Sequence, residues 1–83
     1  MINKKLIMFS KSYPNVDWWI NTHGWVELGS DYHSNSWLRI LDEGGMCWED
    51  EDSSFLDETL KAADIWLSSE TKDRFGEAPP KVY

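Results

Sequence analysis

The spacing of apolar side chains along the chain changes from helical to alternating and back to helical. The first helical stripe is made of Val16, Trp19, Ile20 and His23. These positions follow the i, i+3, i+4, i+7 spacing of one helix face. Pro14 suits the first turn of such a helix and Gly24 suits its C-terminal end. The pattern predicts a first helix over about residues 14–23, with Trp18 on its opposite side.

The next part of the chain alternates apolar and polar side chains, which is typical of strands. It predicts three antiparallel strands over residues 25–29, 36–41 and 46–49. Between the last two lies Asp-Glu-Gly-Gly at 42–45. Glycine readily adopts the positive φ that tight turns need, so this sequence predicts a hairpin.

A second helical stripe consists of Leu56, Leu60, Ala63 and Leu67. It predicts a final helix over about residues 55–69. Ser54 is expected to be its N-cap, with Asp57 three residues further on in an approximate capping box.

The two ends of the chain are expected to lie outside one small domain formed by residues 13–69. Residues 1–12 are interpreted as an N-terminal arm, in which Leu6–Phe9 forms an edge strand or an ordered stretch. Residues 70–83 are polar and contain two adjacent prolines, so we expect a loosely held C-terminal tail. The predicted fold class is α+β: an N-terminal helix, a three-stranded antiparallel meander, and a C-terminal helix packed on one sheet face.

Alternation divides this sheet into two faces. One face collects Val26, Leu28, Leu38, Ile40 and Cys47. The other collects Trp25, Glu27, Trp37, Arg39, Leu41, Met46 and Trp48. A two-residue turn at 43–44 pairs Leu41 with Met46. The same turn pairs Arg39 with Trp48.

The Trp-rich face has two interpretations. In the first, which we favour for most of its side chains, the first helix covers this face and its tryptophans belong to the core. In the second, part of the face is open and binds a partner, because Trp and Arg are enriched at binding hot spots. The aromatic partner-binding candidates are Trp18, Trp37 and Trp48, together with Arg39.

Composition narrows the classes of partner. The chain has 83 residues, is 41% hydrophobic and contains six Trp, which favours a folded domain over disorder. Its net charge of −7 disfavours binding to nucleic-acid phosphate or an anionic membrane and favours a basic partner. Cys47 is the single cysteine, which fits a reducing compartment, and we expect a cytoplasmic protein.

An acidic flank over residues 42–58 contains eight carboxylates and no Lys or Arg. A favourable charge at a helix N-terminus accounts for Asp57 and Glu58 but not for the run at 49–52. The expected docking set for a basic surface is Glu49, Asp50, Glu51, Asp52 and Asp57. Asp50, Glu51 and Asp52 are expected to be exposed in the free protein.

Catalytic and metal-binding signals are weak. His23 and His33 lack further ligands at zinc spacing, and Glu27 is more simply explained by a cross-strand ion pair with Arg39. Cys47 is expected to face the core, with a thiol pKa raised by Glu49 and Asp50. We expect no enzyme activity and no metal or organic cofactor needed for folding.

Five short stretches form a recognisable pattern: Gly-Trp-Val-Glu-Leu-Gly at 24–29, Ser-Asn-Ser at 34–36, Arg39, Asp-Glu-Gly-Gly-Met at 42–46 and Trp-Glu at 48–49. This pattern resembles a family of short uncharacterised cyanobacterial proteins. The resemblance covers about residues 24–67 and implies no activity. The run Glu-Asp-Glu-Asp at 49–52 is more acidic than the family pattern.

These observations predict a small acidic, non-catalytic protein-binding module, a regulator or adaptor that docks a basic partner surface. Two alternatives stay open. One is an acidic inhibitor that mimics nucleic acid to block a nucleic-acid-binding protein. The other is a small-ligand binder that uses the Trp-lined sheet face. A homo-oligomer is compatible with each of them.

Overall fold

The computed structural model describes residues 4–29, 36–51, 53 and 55–83, and places a three-stranded sheet between helices in the chain. The elements are α1 (Lys4–Ser12), α2 (Pro14–Thr22), β1 (Trp25–Leu28), β2 (Leu38–Asp42), β3 (Gly45–Asp50) and α3 (Leu56–Phe75). All strand pairs are antiparallel, with β2 in the centre. The predicted α+β class and its three-stranded antiparallel meander are confirmed.

Helix α1 lies in the predicted N-terminal arm, where Leu6–Phe9 was expected to form an edge strand or an ordered stretch, and the edge-strand alternative was wrong. A four-residue apolar run fits a strand and a buried helix segment equally well, so periodicity alone does not separate them. The helix packs on α2. Phe9 and Tyr13 place their ring centroids 5.3 Å apart at this junction.

Helix α2 receives its N-terminal cap from α3 and not from a neighbour in sequence. Tyr13 occupies the N-cap position and makes no side-chain capping bond. Instead, Asp64 Oδ1 accepts the backbone N–H groups of Asn15 at 2.7 Å and Val16 at 2.9 Å. The first N–H groups of a helix lack intrahelical partners, so this buried carboxylate satisfies two of them.

Both α2 and α3 pack on the same face of the sheet. The buried apolar core consists of Val16, Trp19, Leu38, Ile40, Leu60, Ala63 and Leu67. It draws on α2, β2 and α3, so the core lies on the side of Leu38 and Ile40. The expectation that the first helix covers the Trp-rich face was wrong.

A β-bulge in β3 changes the side to which Trp48 belongs. Leu41 pairs with Met46 as expected, but Ile40 pairs with Trp48 and the register shifts between them. Cys47 is the extra residue, since two residues of a bulged strand oppose one on its partner. Trp48 therefore packs against the core and stacks on Trp66 of α3, with ring centroids 5.7 Å apart. The predicted pairing of Arg39 with Trp48 was wrong.

Helix α3 begins at Leu56, the first residue of the apolar stripe, and ends at Phe75, later than the predicted end near residue 69. Its N-cap position is Phe55, without a side-chain capping bond, whereas the expected cap Ser54 lies outside the described residues. Gly76 ends the helix in the left-handed conformation, with φ of 67°, a position that favours glycine. Within the described ranges, no helix combines the length and the apolar character needed to cross a membrane.

The segment after α3 is held by hydrogen bonds, contrary to the expected loose tail. Asn15 exchanges two hydrogen bonds of 2.8 Å with the backbone of Lys81. Tyr83 donates its hydroxyl to Asp64 Oδ2 at 2.6 Å, and its backbone N–H donates to Ser68 Oγ at 2.9 Å. The prolines limit the freedom of the unfolded segment, which lowers the entropic cost of docking it.

Alkaline pH is expected to lower the stability of the fold by breaking the hydrogen bonds of two tyrosine hydroxyls, one of which holds the C-terminal segment. Burial, followed by the hydrogen bond to Asp64, raises the pKa of Tyr83 from 10.0 to about 12. A hydrogen bond to Asp57 is the main cause that raises the pKa of Tyr13 to about 12. A raised folded-state pKa contributes stability that is complete below about pH 10 and is lost as the pH rises through about 12. Urea unfolding followed by Trp fluorescence should show this loss between pH 10 and 12.

The matched control is Tyr83→Phe, which keeps the ring but removes the hydroxyl. It should be less stable than the wild type below pH 10 and should lose less stability above it. Lys61 and Lys81 place their Nζ atoms over the Tyr83 ring, which both proteins retain, so the comparison of the two proteins isolates the hydroxyl. Equal losses in both proteins would exclude the Tyr83 hydroxyl as a cause.

Candidate functional site

The sheet face opposite the core carries an apolar row across all three strands. Trp25 pairs with Leu41, and Leu41 pairs with Met46. Trp25 is 44% exposed and Met46 is 55% exposed. Residues directly opposite each other in antiparallel strands project from the same face, so these three side chains form a continuous strip.

A charged row runs beside the apolar row. Glu27 pairs with Arg39, and Arg39 pairs with Glu49. Arg39 Nε donates to Glu27 Oε1 at 3.2 Å, which confirms the predicted cross-strand ion pair. Arg39 is only 6% exposed, and its guanidinium also donates to the carbonyl and hydroxyl of Ser36. The row therefore presents carboxylates outward more than it presents the cation.

Trp37 adds a second aromatic side chain to this face. It precedes β2 and is 54% exposed. The carbonyl of Trp37 accepts the N–H of Gly29, and its own N–H donates to the carbonyl of Asp50. Trp37 is two positions from Arg39, so the alternation of the strand places both on one side. We name Trp25, Trp37, Leu41 and Met46, with Glu27, Arg39 and Glu49, the open face.

Glu27 also fixes the Trp25 ring. The indole Nε1–H of Trp25 donates to Glu27 Oε2 at 3.3 Å, while the other oxygen of the same carboxylate accepts from Arg39. One carboxylate thus links the two rows. An aromatic ring held in place loses less conformational entropy when a partner covers it.

The other aromatic candidates lie elsewhere. Trp48 belongs to the core side, as described above. Trp18 is half-buried, packs against the core cluster, and meets the His23 ring edge-on at 4.9 Å. Of the four predicted aromatic-set residues, Trp37 and Arg39 share the open face.

The predicted acidic docking set is dispersed. Asp50 is only 6% exposed, so the expectation that it is solvent-exposed was wrong. Glu49 is half-buried and accepts the hydroxyl of Ser36 at 3.0 Å. Glu51 and Asp57 are exposed, and Asp57 accepts the hydroxyl of Tyr13. Asp52 lies outside the described residues.

The net charge is concentrated in the sheet part of the chain. Residues 23–55, between α2 and α3, contain eight Asp and Glu and one basic residue, Arg39. They therefore carry the whole formal charge of −7. The rest of the chain contains seven acidic and seven basic side chains and is formally neutral. Because the sheet part is acidic and the helical part is formally neutral, the electrostatic potential should be more negative around the sheet part.

A shallow pocket of about 300 Å³ adjoins the open face at Trp25. It is lined by residues 20–25, which form the end of α2 and the start of β1, and by Glu43 at the tip of the β2–β3 turn. Residue 24 must be glycine here, because a Cβ atom would lie 2.0 Å from the carbonyl oxygen of Leu41. Trp19 donates its indole N–H to that same oxygen at 3.2 Å, which draws the hairpin against the helix end.

The described side chains form no cluster of three or more His, Cys, Asp or Glu that is suited to a metal ion. His23 instead pairs with Glu77, with Nε2 and Oε2 2.8 Å apart. Burial is the main cause that raises the pKa of the Cys47 thiol, followed by the charge of Asp42. The expected rise in the pKa of this thiol is confirmed, but Glu49 and Asp50, its expected causes, are not among the groups that raise it. A raised pKa leaves less of the nucleophilic thiolate at neutral pH.

Comparison with protein-family models, with curated proteins and with solved structures finds no match for this chain. The open face and the adjoining pocket are therefore the features from which a function can be inferred.

Sequence reasoning placed Trp25 and Met46 on the right face but left them out of the partner-binding set. Glu43 was counted in the acidic flank and in the hairpin turn, but it was left out of the predicted docking set. The signal for the apolar row was present in the hairpin, because the turn at 43–44 sets Met46 opposite Leu41. The pocket had no such signal, since it depends on the contact between Gly24 and the hairpin.

Proposed function

We propose that this protein is a non-catalytic protein-binding module that docks a basic partner surface through the open face. The observation that carries the proposal is the placement of both α2 and α3 on one side of the sheet, which leaves Trp25, Trp37 and Met46 exposed on the other. Tryptophan is the residue type most characteristic of binding hot spots, and methionine adapts to varied partner shapes.

Charge selects the partner in this proposal. The sheet part of the chain holds the full net charge of −7, and Arg39, the cation among the described residues of the open face, is paired with Glu27. A basic surface approaching the sheet gains from this field, whereas it gains little from the neutral helical side. Lysine and arginine side chains can also contact the exposed indole rings through cation–π attraction.

The acidic run after β3 supports the proposal less than the open face does. Asp50 is buried and Asp57 accepts a bond from Tyr13, so these carboxylates do not form one exposed strip. A mimic of nucleic acid needs regularly spaced, accessible negative charges, and this arrangement does not favour that alternative. We place the docking in the cytoplasm, where the single thiol of Cys47 stays reduced.

Affinity capture with variants tests the proposal. Tagged wild-type protein is compared with a Trp25→Ser, Trp37→Ser double variant in a lysate of the source cells, and captured proteins are quantified by mass spectrometry. Truncation of hot-spot side chains costs at least about 2 kcal/mol. A genuine basic partner should therefore be retained more than about tenfold less by the double variant.

The matched control is Ile65→Ser, an equally exposed apolar side chain on α3, on the other side of the molecule. It should keep the partner, and rising salt should release the partner from the wild type, because salt screens exposed charges. Far-ultraviolet circular dichroism confirms that each variant is folded. A captured basic protein that the double variant retains as well as the wild type does would contradict the proposal.

A further inference from the structure

The pocket beside Trp25 combines three features that each favour a positive charge. The first is the C-terminal end of α2, whose last turn, residues 20–22, lines the pocket. The last carbonyl groups of a helix have no intrahelical donors, and the helix dipole makes this end partly negative. A cation placed there gains a favourable field.

The second feature is the Glu43 carboxylate on the opposite wall. Glu43 is exposed at the tip of the hairpin turn, and the close contact of Gly24 with the Leu41 carbonyl brings this turn to the helix end. The other ionisable residue of the lining, His23, is engaged with Glu77 at 2.8 Å. Glu43 is thus the carboxylate that the pocket offers to a ligand.

The third feature is the Trp25 indole, which forms part of the wall and is held by Glu27 at 3.3 Å. The face of an indole ring attracts cations, and tryptophan is the strongest of the aromatic side chains in this respect. The ring also belongs to the open face, so a group bound in the pocket is continuous with a partner docked on the sheet.

We propose that this pocket receives an arginine side chain of the basic partner, an inference that rests on the docking function proposed above. A guanidinium group is planar and carries five N–H donors, so it can stack on Trp25 while it donates to Glu43 and to the helix-end carbonyls. A lysine ammonium is compact and strongly hydrated, and it matches this flat, divided set of acceptors less well. The pocket has a volume of about 300 Å³.

The test uses the full-length protein and three small probes: N-acetyl-arginine amide, N-acetyl-lysine amide and N-acetyl-citrulline amide. Citrulline has nearly the shape of arginine but no charge. Binding is followed by ¹H–¹⁵N NMR titration. The arginine probe should shift the amide signals of residues 20–25 and 43, the lysine probe should bind more weakly, and the citrulline probe should leave these signals in place.

Variants then assign the contacts. Glu43→Gln should weaken the arginine probe by up to about fivefold, as expected for an exposed ion pair. Trp25→Leu should weaken it by about two- to fivefold, as expected for an exposed cation–π contact. The matched control Glu58→Gln removes the same charge from the exposed first turn of α3 and should have no effect. Equal binding of the citrulline probe, or an equal loss in Glu58→Gln, overturns the proposal.

The two proposals fail separately. If the captured partner is lost by the double variant of Trp25 and Trp37 but binds Glu43→Gln as tightly as the wild type, the docking face stands and the arginine pocket is excluded. If the double variant retains the partner, the docking function fails whatever the arginine probe does.

Discussion

An Asp64→Ala variant is expected to lose about 3 kcal/mol or more of unfolding free energy. Asp64 is fully buried on α3 and accepts the N–H groups of Asn15 and Val16 and the hydroxyl of Tyr83. Alanine leaves two buried helix N–H groups without an acceptor, and each such group costs roughly 1–3 kcal/mol. Because small domains have only about 5–15 kcal/mol of total stability, the variant should be close to unfolding. Urea denaturation followed by Trp fluorescence measures the effect.

Two further variants separate capping from general effects of charge. Asp64→Asn keeps an oxygen at the position of Oδ1, which receives both N–H groups, so it should cost less than alanine. Asp73→Ala removes an exposed carboxylate from the same helix and should change stability by less than about 0.5 kcal/mol. If Asp64→Ala is as stable as Asp73→Ala, the cap contributes nothing.

A Gly24→Ala variant is expected to be destabilised by about 3 kcal/mol, at the upper end of the range for overpacked sites. The added Cβ atom would lie 2.0 Å from the Leu41 carbonyl oxygen, which is backbone and cannot rotate away. Either the hairpin moves from the end of α2 or the helix does, and both movements strain the bond from Trp19 Nε1 to Leu41. Thermal unfolding by circular dichroism should show a lower midpoint.

The matched control is Gly44→Ala in the turn of the same hairpin. The nearest atom to its added Cβ is Asp42 Oδ1 at 3.2 Å, which belongs to a side chain that can adjust. We expect a change of less than about 1 kcal/mol, within the usual range for surface sites. Equal destabilisation by the two substitutions would show that the close contact at Gly24 is not the cause.

The order and type of the central elements could be predicted because each has one clear local signal. The apolar stripe of α2, the alternation of the three strands and the glycines of the hairpin turn all point the same way. The cross-strand pair of Glu27 and Arg39 followed from that alternation. Strand ends differed from the prediction by a few residues, as expected for boundaries set by hydrogen bonds at the margins.

The features that sequence reasoning missed depend on contacts between distant residues. The bulge at Cys47 has no marker in the local sequence, yet it moves Trp48 to the core side of the sheet. The opposite face therefore has one tryptophan fewer than the alternation predicts. In the sequence, Asp64 cannot be distinguished from the other acidic residues of α3, because its capping role depends on the packing of α2 beside it. The short apolar run in α1 fits a strand as well as a helix, and only its packing on α2 settles the choice.

In the candidate site, too, features with a local sequence signal could be predicted and features that depend on distant contacts could not. Trp37 and Arg39 could be placed on one face from alternation alone. The exposure of that face could not be predicted, because it depends on the sheet face against which α2 packs. The apolar stripe of a helix shows which side of the helix is buried but not which surface it packs on. The acidic run was visible in the sequence, but the burial of Asp50 within it was not.

Oxidative footprinting by hydroxyl radicals, with the captured partner absent and then in excess, tests the docking face most directly. In the free protein, Trp25, Trp37 and Met46 should be oxidised readily, as should Met8, which is 68% exposed on α1, whereas the fully buried Trp19 should be protected. With the partner bound, oxidation of Trp25, Trp37 and Met46 should fall severalfold while that of Met8 stays the same. Unchanged oxidation of the three open-face residues in the saturated complex would contradict docking through this face.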